Sequence, residues 1–551
     1  MKPARFVRLP AVSRLGIRPG RVPRPSSWTS LVLWGLAALV AAALLLPLAY
    51  LVMRAAGAGE AAWQSLFRPR TLDIVGRTLG LALAVTGLSA LIAVPLAWLT
   101  VRTDLPLRRV WAVLTPLPLV IPSYVGAYLM ASALGPRGLV QQLLEAPFGV
   151  TRLPEIYGFP GALITLTLLS YPYMLLSVRA ALLKIDPALE EASRSLGHDA
   201  WTTFRRVVLP LLRPAIGSGG LLVALYALRD FGAVALMRYD TFTRVIYVQY
   251  RSFDRSQAAL LALVLVALTV IFLALEAREH GRARYHQSGA GAARPPTLAR
   301  LGIWRWPAFA FCAGVVFFSL GLPAGVLAYW LIRGLQAGEA VPGLGPAAWN
   351  SVLASGLAAA ATVGAALPVA ILAVRRPGPL TRRLERLTYS AFALPGIVIA
   401  LALVFFGVNH ARWLYQTLPM LVLAYGILFI PQAVGALRAA LLQIHPNLEE
   451  AARTLGRRPV EVFLKVTLPL LRPGLVAGAS LVFLTAMKEL PATLILAPIG
   501  FKSLATEVWS AVSEAFFARA AAPALLIVLM SSLPMTFFIL REQRADDRVD
   551  A

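Results

Sequence analysis

Charge-free apolar runs, repeated along most of the chain, restrict this sequence more than any other feature. Ten of them are long and uninterrupted: Thr29–Val52, Thr78–Val101, Val110–Pro136, Gly158–Val178, Ser256–Leu275, Trp306–Ile332, Ala340–Val374, Leu387–Asn409, Trp413–Leu437 and Ala520–Leu540. Each is long enough for a helix to cross a hydrocarbon core of ~30 Å. Two more, Pro214–Met237 and Pro473–Phe501, are apolar but carry one pair of charges each: Arg229-Asp230 and Lys488-Glu489. In lipid a backbone must satisfy its own hydrogen bonds, so such runs are read as helices. The sequence therefore predicts an all-α integral membrane protein of twelve transmembrane helices. Composition agrees: 58% of the 551 residues are hydrophobic and 14% charged, against ~25% charged in soluble domains.

The net charge is +26. In a soluble chain this would suggest nucleic acid, but a membrane chain concentrates Lys and Arg on one side. With the N-terminus inside and twelve alternating spans, inside segments hold 34 Lys and Arg, outside segments 13, and spans or span ends 5. The charge records orientation, and both termini are expected in the cytoplasm, with no nucleic-acid partner. Residues 1–27 carry seven basic residues and no acid. A secretory signal has a shorter apolar core of ~7–15 residues, so Thr29–Val52 reads as a retained first span behind a basic tail.

The chain is also internally repeated. Tyr171–Pro214 aligns without gaps on Ile430–Pro473 at an offset of 259, with 23 identities in 44 positions. The charged pairs at 229–230 and 488–489 keep the same offset. The expected layout is a basic tail (1–27), a first six-span half (28–276), a polar linker (277–303), a second half (304–541) and a tail (542–551). An even number of spans separates the repeated loops, 184–213 and 443–472, so both face the cytoplasm and the halves are parallel repeats.

Each loop reads as a short helix. Asp186-Pro187 and His445-Pro446 can start it, since Asp caps and Pro is tolerated at the first turn. Gly197 and Gly456 can end it in a left-handed cap. Leu189, Ala192, Ser193 and Leu196 share one face, matched by Leu448, Ala451, Ala452 and Leu455. Glu190 with Arg194, and Glu449 with Arg453, are i, i+4 pairs on a neighbouring face. A second short helix presents Trp201, Phe204 and Val207, matched by Val460, Phe463 and Val466. Docking to a partner and packing on the protein's own membrane domain both fit this pattern.

Both loops read Glu-Ala-(Ser or Ala), three residues, Gly, nine residues, Val-x-Leu-Pro, at 191–210 and 450–469. This resembles the EAA loop of ATP-binding-cassette importer permeases, with Ser193 for the second Ala and Val for Ile. The resemblance implies the type I permease fold and a coupling helix in each loop, carried by Glu190, Glu191, Ala192, Gly197, Leu209 and Pro210, and by Glu449, Glu450, Ala451, Gly456, Leu468 and Pro469. It implies two copies of a cytoplasmic ATPase and an extracytoplasmic substrate-binding protein as partners, in a bacterial inner membrane. No lysine has a preceding Gly, so there is no GxxxxGK[ST] phosphate loop. ATP and Mg are then expected on the partner, with no cofactor or catalytic residue here.

Ionisable residues inside spans are costly unless paired or hydrated. Arg229, Asp230, Lys488 and Glu489 are therefore candidates for a gate near the pseudo-twofold axis, or for local ion pairs that fix packing. Tyr171 and Tyr226 are candidate pathway linings. Lys488–Trp509, Asp230–Val234, Thr241–Thr243 and Ile246-Tyr247 resemble the ferric-iron permeases of this superfamily, which implies Fe(III) as substrate. Thiamine permeases share the fused layout, and a polyamine or phosphonate are further alternatives. The sequence shows no Tyr/His/carboxylate grouping suited to a ferric ion. The lone Cys312 and scattered histidines, His280 and His286 among them, suggest no metal site. A secondary transporter would lack doubled docking loops. A membrane-embedded enzyme would need clustered His, Asp or Cys.

Overall fold

The computed structural model describes residues 27–252, 255–282, 298–339 and 343–532. The tails, the centre of the linker with His286, and the end of the last apolar run lie outside them. Among the described residues the architecture is all-α. The one bridge, Thr103 to Ala299, clips the linker to the end of a long helix. In the first half, besides short helices Glu60–Ser65 and Leu139–Phe148, the elements are α1 (Ser27–Ala56), α2 (Pro69–Arg102), α3 (Arg108–Leu114), α4 (Ser123–Leu134), α5 (Phe159–Lys184), α6 (Pro187–Ser195), α7 (Trp201–Arg229), α8 (Gly232–Leu236), α9 (Phe242–Arg251) and α10 (Arg255–Arg282). The second half has α11 (Gly302–Gln336), α12 (Leu344–Arg375), α13 (Pro379–Ser390), α14 (Gly396–His410), α15 (Leu418–Gln443), α16 (Pro446–Thr454), α17 (Pro459–Met487), α18 (Pro491–Leu496), α19 (Leu504–Ser513) and α20 (Phe517–Ser532).

Nine described helices are long and apolar enough to cross a membrane. The remaining three of the twelve runs behave differently. Val110–Pro136 is not one straight span but a pair bent by 100°, Arg108–Val120 with Ser123–Phe148. The prolines at 116, 118 and 122 explain the bend, since each lacks an N–H and disfavours helix in the residue before it. Leu387–Asn409 is likewise broken before Pro395, leaving the 15-residue α14. Ala520–Leu540 is described only as far as Ser532, within α20. Both charge-interrupted runs also break at their charges. α7 ends at Arg229 and α17 at Met487, and short helices α8 and α18 follow.

Each half is built on three mutually packed helices: α2, α5 and α7, then α12, α15 and α17. The first spans are exchanged. α1 packs on α12 and α14 of the other half, with Tyr50 against Phe405 at 4.8 Å between rings. α11 packs on α2, α4 and α5, where Cys312 is fully buried and Phe309 meets Trp111 edge-on at 5.3 Å.

Close approach of α5 and α7 depends on Gly219. A Cβ there would stand 2.8 Å from the Cα of Met174, whereas at the equivalent Gly478 it would stand 3.6 Å from the Cα of Ala433. The two sites form an internal control. Gly219→Ala should destabilise the protein by ~1–3 kcal/mol, the usual cost of overpacking. Gly478→Ala should leave thermal unfolding of the purified protein nearly unchanged.

Candidate functional site

The repeated loops form helices α6 and α16. Asp186 caps α6 by accepting the Ala188 N–H at 2.9 Å, and His445 Nδ1 caps α16 by accepting the Asn447 N–H at 3.3 Å. Gly197 and Gly456 end the helices in left-handed geometry, φ +83° and +80°, which an L side chain resists. The exposed surface holds Leu189, Glu191, Ala192 and Leu196 in one loop, and Leu448, Glu450, Ala451 and Leu455 in the other. Trp201 and Val460 extend it, at 65% and 54% exposed. Ser193 differs from the expected face. It is buried and hydrogen-bonded to Thr203 at 3.0 Å.

The motif-closing Leu209-Pro210 and Leu468-Pro469 sit inside continuous helices. In each case one π turn precedes them, Phe204–Val208 and Phe463–Thr467. A proline ring clashes with the carbonyl four residues back. The wider turn lets Leu209 and Leu468 donate instead to Phe204 and Phe463, five residues back. The same device precedes Leu322-Pro323 in α11.

Glu190 and Glu449 do not join the exposed face. Glu190 is 6% exposed. Its carboxylate lies 3.3 Å from the Arg102 guanidinium and only loosely, at 3.8 Å, from Arg194. Glu449 pairs with Arg375 at 2.9 Å and accepts from Thr467 at 3.2 Å. The i, i+4 reading missed these tertiary partners, which win because they reach the carboxylates on the inward side.

The intramembrane charges meet where the halves meet. The Asp230 carboxylate accepts the Ala233 N–H at 2.9 Å, and Glu489 accepts the Ala492 N–H at 3.3 Å. Each acid thus caps the short helix that follows it. Their basic neighbours reach across the halves instead. Lys488 Nζ donates to the Leu119 carbonyl at 2.8 Å, and Arg229 is in electrostatic contact with Glu489. The pairs are therefore not ion pairs between sequence neighbours.

The surroundings of the two acids are matched in size. Ser123 stands beside Asp230. Gly396, its counterpart at the start of α14, leaves room for the longer Glu489, and a Cβ at Gly396 would fall on that carboxylate. Gly396→Ser alone should lower stability by ~1–3 kcal/mol. Combined with Glu489→Asp, which copies the first half, it should regain most of the loss in thermal unfolding. No recovery in the double variant would contradict the match.

Tyr171 is fully buried and donates to the Thr115 carbonyl at 2.7 Å, tying α5 to the end of α3. Tyr226 is half-buried with its ring 5.5 Å from Tyr173. Tyr226 is also in electrostatic contact with Asp230. Two tyrosines missed in the sequence stand near the other acid. Tyr124 is 2% exposed, its hydroxyl has no hydrogen-bond partner, and it is in electrostatic contact with Glu489 and Tyr425. Tyr425 shares a hydrogen bond with Thr493 at 2.6 Å and, with Glu489, Ser351, Ser355 and Ser503, lines a small cleft. Tyr124, Tyr425, Asp230 and Glu489 thus come to one region from both halves, a neighbourhood that no run of sequence shows. Among the described residues, no three His, Cys, Asp or Glu are grouped to hold a metal.

Two stretches, 90–279 and 363–549, match the family described as "Binding-protein-dependent transport system inner membrane component". The Fe(3+)-transport system permease protein FbpB 2 of Haemophilus influenzae is 37% identical over 525 residues, covering 94% of this chain and 99% of that protein. The ferric transport system permease protein FbpB of Actinobacillus pleuropneumoniae is 25% identical over 493 residues, 86% of this chain and 70% of its own length. The molybdenum transport system permease protein ModB of Escherichia coli K12 is 35% identical over 157 residues, 28% of this chain and 67% of its own. With two family units on one polypeptide, each bearing its own loop helix, the chain belongs to the inner-membrane components of binding-protein-dependent transport systems.

Proposed function

We propose that this chain forms the membrane passage of an ATP-binding-cassette importer for Fe(III). A binding protein outside the bacterial inner membrane delivers the ion. Two copies of a separate cytoplasmic ATPase, one on α6 and one on α16, drive it through. ATP and Mg²⁺ belong to that ATPase, and both termini of the chain lie in the cytoplasm with the loops. The excess of Lys and Arg on the inside segments, 34 against 13, supports that orientation. One observation carries the substrate: similarity to a ferric permease runs through 94% of this chain, while the molybdenum permease matches 28% of it.

Arg229, Asp230, Lys488 and Glu489 form the closed gate between the halves in this reading. Asp230, Glu489, Tyr124 and Tyr425 offer the oxygen donors that a hard cation prefers over nitrogen or sulfur. Arg229 and Lys488 balance the acids while the passage is empty. The test uses the complex with its ATPase in nanodiscs. An Fe(III)-loaded binding protein should stimulate ATP hydrolysis several-fold, and receptors loaded with molybdate or thiamine should not. Stimulation by one of those receptors, with none by the iron receptor, would replace iron as the substrate.

A further inference from the structure

Two arginines outside the repeated loops reach into them. Arg102 is the last residue of α2 and Arg375 the last of α12. They occupy equivalent places, 273 residues apart. The Arg102 side chain is 3% exposed. Its Nη2 donates to the carbonyls of Leu182 at 2.8 Å and Ile185 at 2.9 Å, where α5 ends, and its Nε faces Glu190 of α6 at 3.3 Å. Arg375 repeats the pattern. Nη2 donates to the Ile444 carbonyl at 3.1 Å, and Nη2 and Nε both donate to Glu449 of α16, at 2.9 and 3.2 Å. One guanidinium thus joins three elements in each unit: the end of a core span, the end of a second core span, and the loop helix.

We propose that Arg102 and Arg375 are positioning residues for energy coupling. Each makes the loop helix move as one body with α2 and α5, or with α12 and α15. The proposal rests on the reading that α6 and α16 receive the ATPase. α6 packs mainly on the first turns of α7, and α16 on those of α17. A push on either helix reaches α7 or α17 through those contacts. It reaches α5 or α15 along the two-residue link that the arginine clamps, and α2 or α12 through the arginine itself. The planar fork explains the residue type: Arg102 donates to two carbonyls while turning Nε toward Glu190, and Arg375 donates to one carbonyl and grips Glu449 through Nη2 and Nε, which a lysine ammonium has no fork to do.

The test compares the wild-type full chain with Arg102→Met/Arg375→Met and Arg102→Lys/Arg375→Lys, each reconstituted with ATPase and binding protein. ATPase retention and basal hydrolysis should stay within about twofold. Iron transported per ATP should fall at least about tenfold for Met and less for Lys. Arg375→Glu with Glu449→Arg should recover part of the loss caused by Arg375→Glu alone. Met variants that retain the ATPase and keep the wild-type ratio would overturn the proposal.

A second measurement is independent of the ATPase. Spin labels at Ser195 and Val110, with Cys312→Ala, report how firmly α6 is held to α3, the helix that directly follows α2. The distance distribution should broaden on Arg102→Lys, and an unchanged narrow distribution would also overturn the proposal. If the wild type itself holds no ATPase, the docking reading fails, and this distance alone decides the role of the arginine.

Discussion

Changing Leu196 and Leu455 together to Asp should leave a folded permease that no longer holds its ATPase, with uptake reduced at least a hundredfold. The two side chains are 78% and 83% exposed. Surface changes of this kind usually alter stability by no more than ~0.5 kcal/mol, so the free permease should be unaffected. A docked partner changes the balance. An apolar anchor at the centre of an interface contributes ~2 kcal/mol or more, and an unpaired carboxylate buried in its place adds a desolvation penalty. Two such sites amount to at least ~4 kcal/mol, about a thousandfold in affinity. The check is co-purification of the ATPase with the double variant, beside uptake. A variant that keeps its ATPase at wild-type stoichiometry would show that these leucines do not dock it.

Reversing the charges by Lys488→Glu with Glu489→Lys should abolish transport without changing net charge. Three contacts turn unfavourable together. A carboxylate at 488 meets the Leu119 carbonyl, which now accepts from the ammonium at 2.8 Å. An ammonium at 489 meets the N–H of Ala492, at the positive end of α18. It also meets Arg229 in place of an acid. Losing one partner of a buried charged contact costs ~3–5 kcal/mol. Uptake per folded complex should therefore fall at least a hundredfold while the ATPase stays bound. Intact transport in the reversed variant would remove the charges from the pathway account and leave them a packing role.

Local features of this fold were legible, and tertiary ones less so. Apolar length sufficed for the nine continuous spans, because lipid leaves a helix few alternatives. The caps at Asp186, Gly197 and Gly456 follow from chemistry within a few residues, so they appear where the sequence places them. The breaks at Pro116–Pro122 and before Pro395 were visible as prolines, but hydropathy alone ran across them. The exchange of α1 and α11 between halves leaves no trace in a hydrophobic run, since both faces of such a helix are apolar.

The arginine contacts were hidden for a definite reason. Glu190 and Glu449 lie 259 apart, but Arg102 and Arg375 lie 273 apart. The difference arises in the loop after α4, where the first half carries an additional helix, Leu139–Phe148, and the second half a shorter connection. A gapless comparison at one offset ends at that loop. The grouping of Tyr124, Tyr425, Asp230 and Glu489 was hidden because its members come from four separate segments, two in each half.

The most direct measurement of the whole account is ATP-dependent uptake of ⁵⁵Fe(III) into proteoliposomes holding this chain, its ATPase and its binding protein. Fe(III) should accumulate with ATP, fail to accumulate with a non-hydrolysable analogue, and be unaffected by excess molybdate or sulfate. Accumulation that persists without ATP and follows an ion gradient, or uptake of an oxyanion in place of iron, would contradict it.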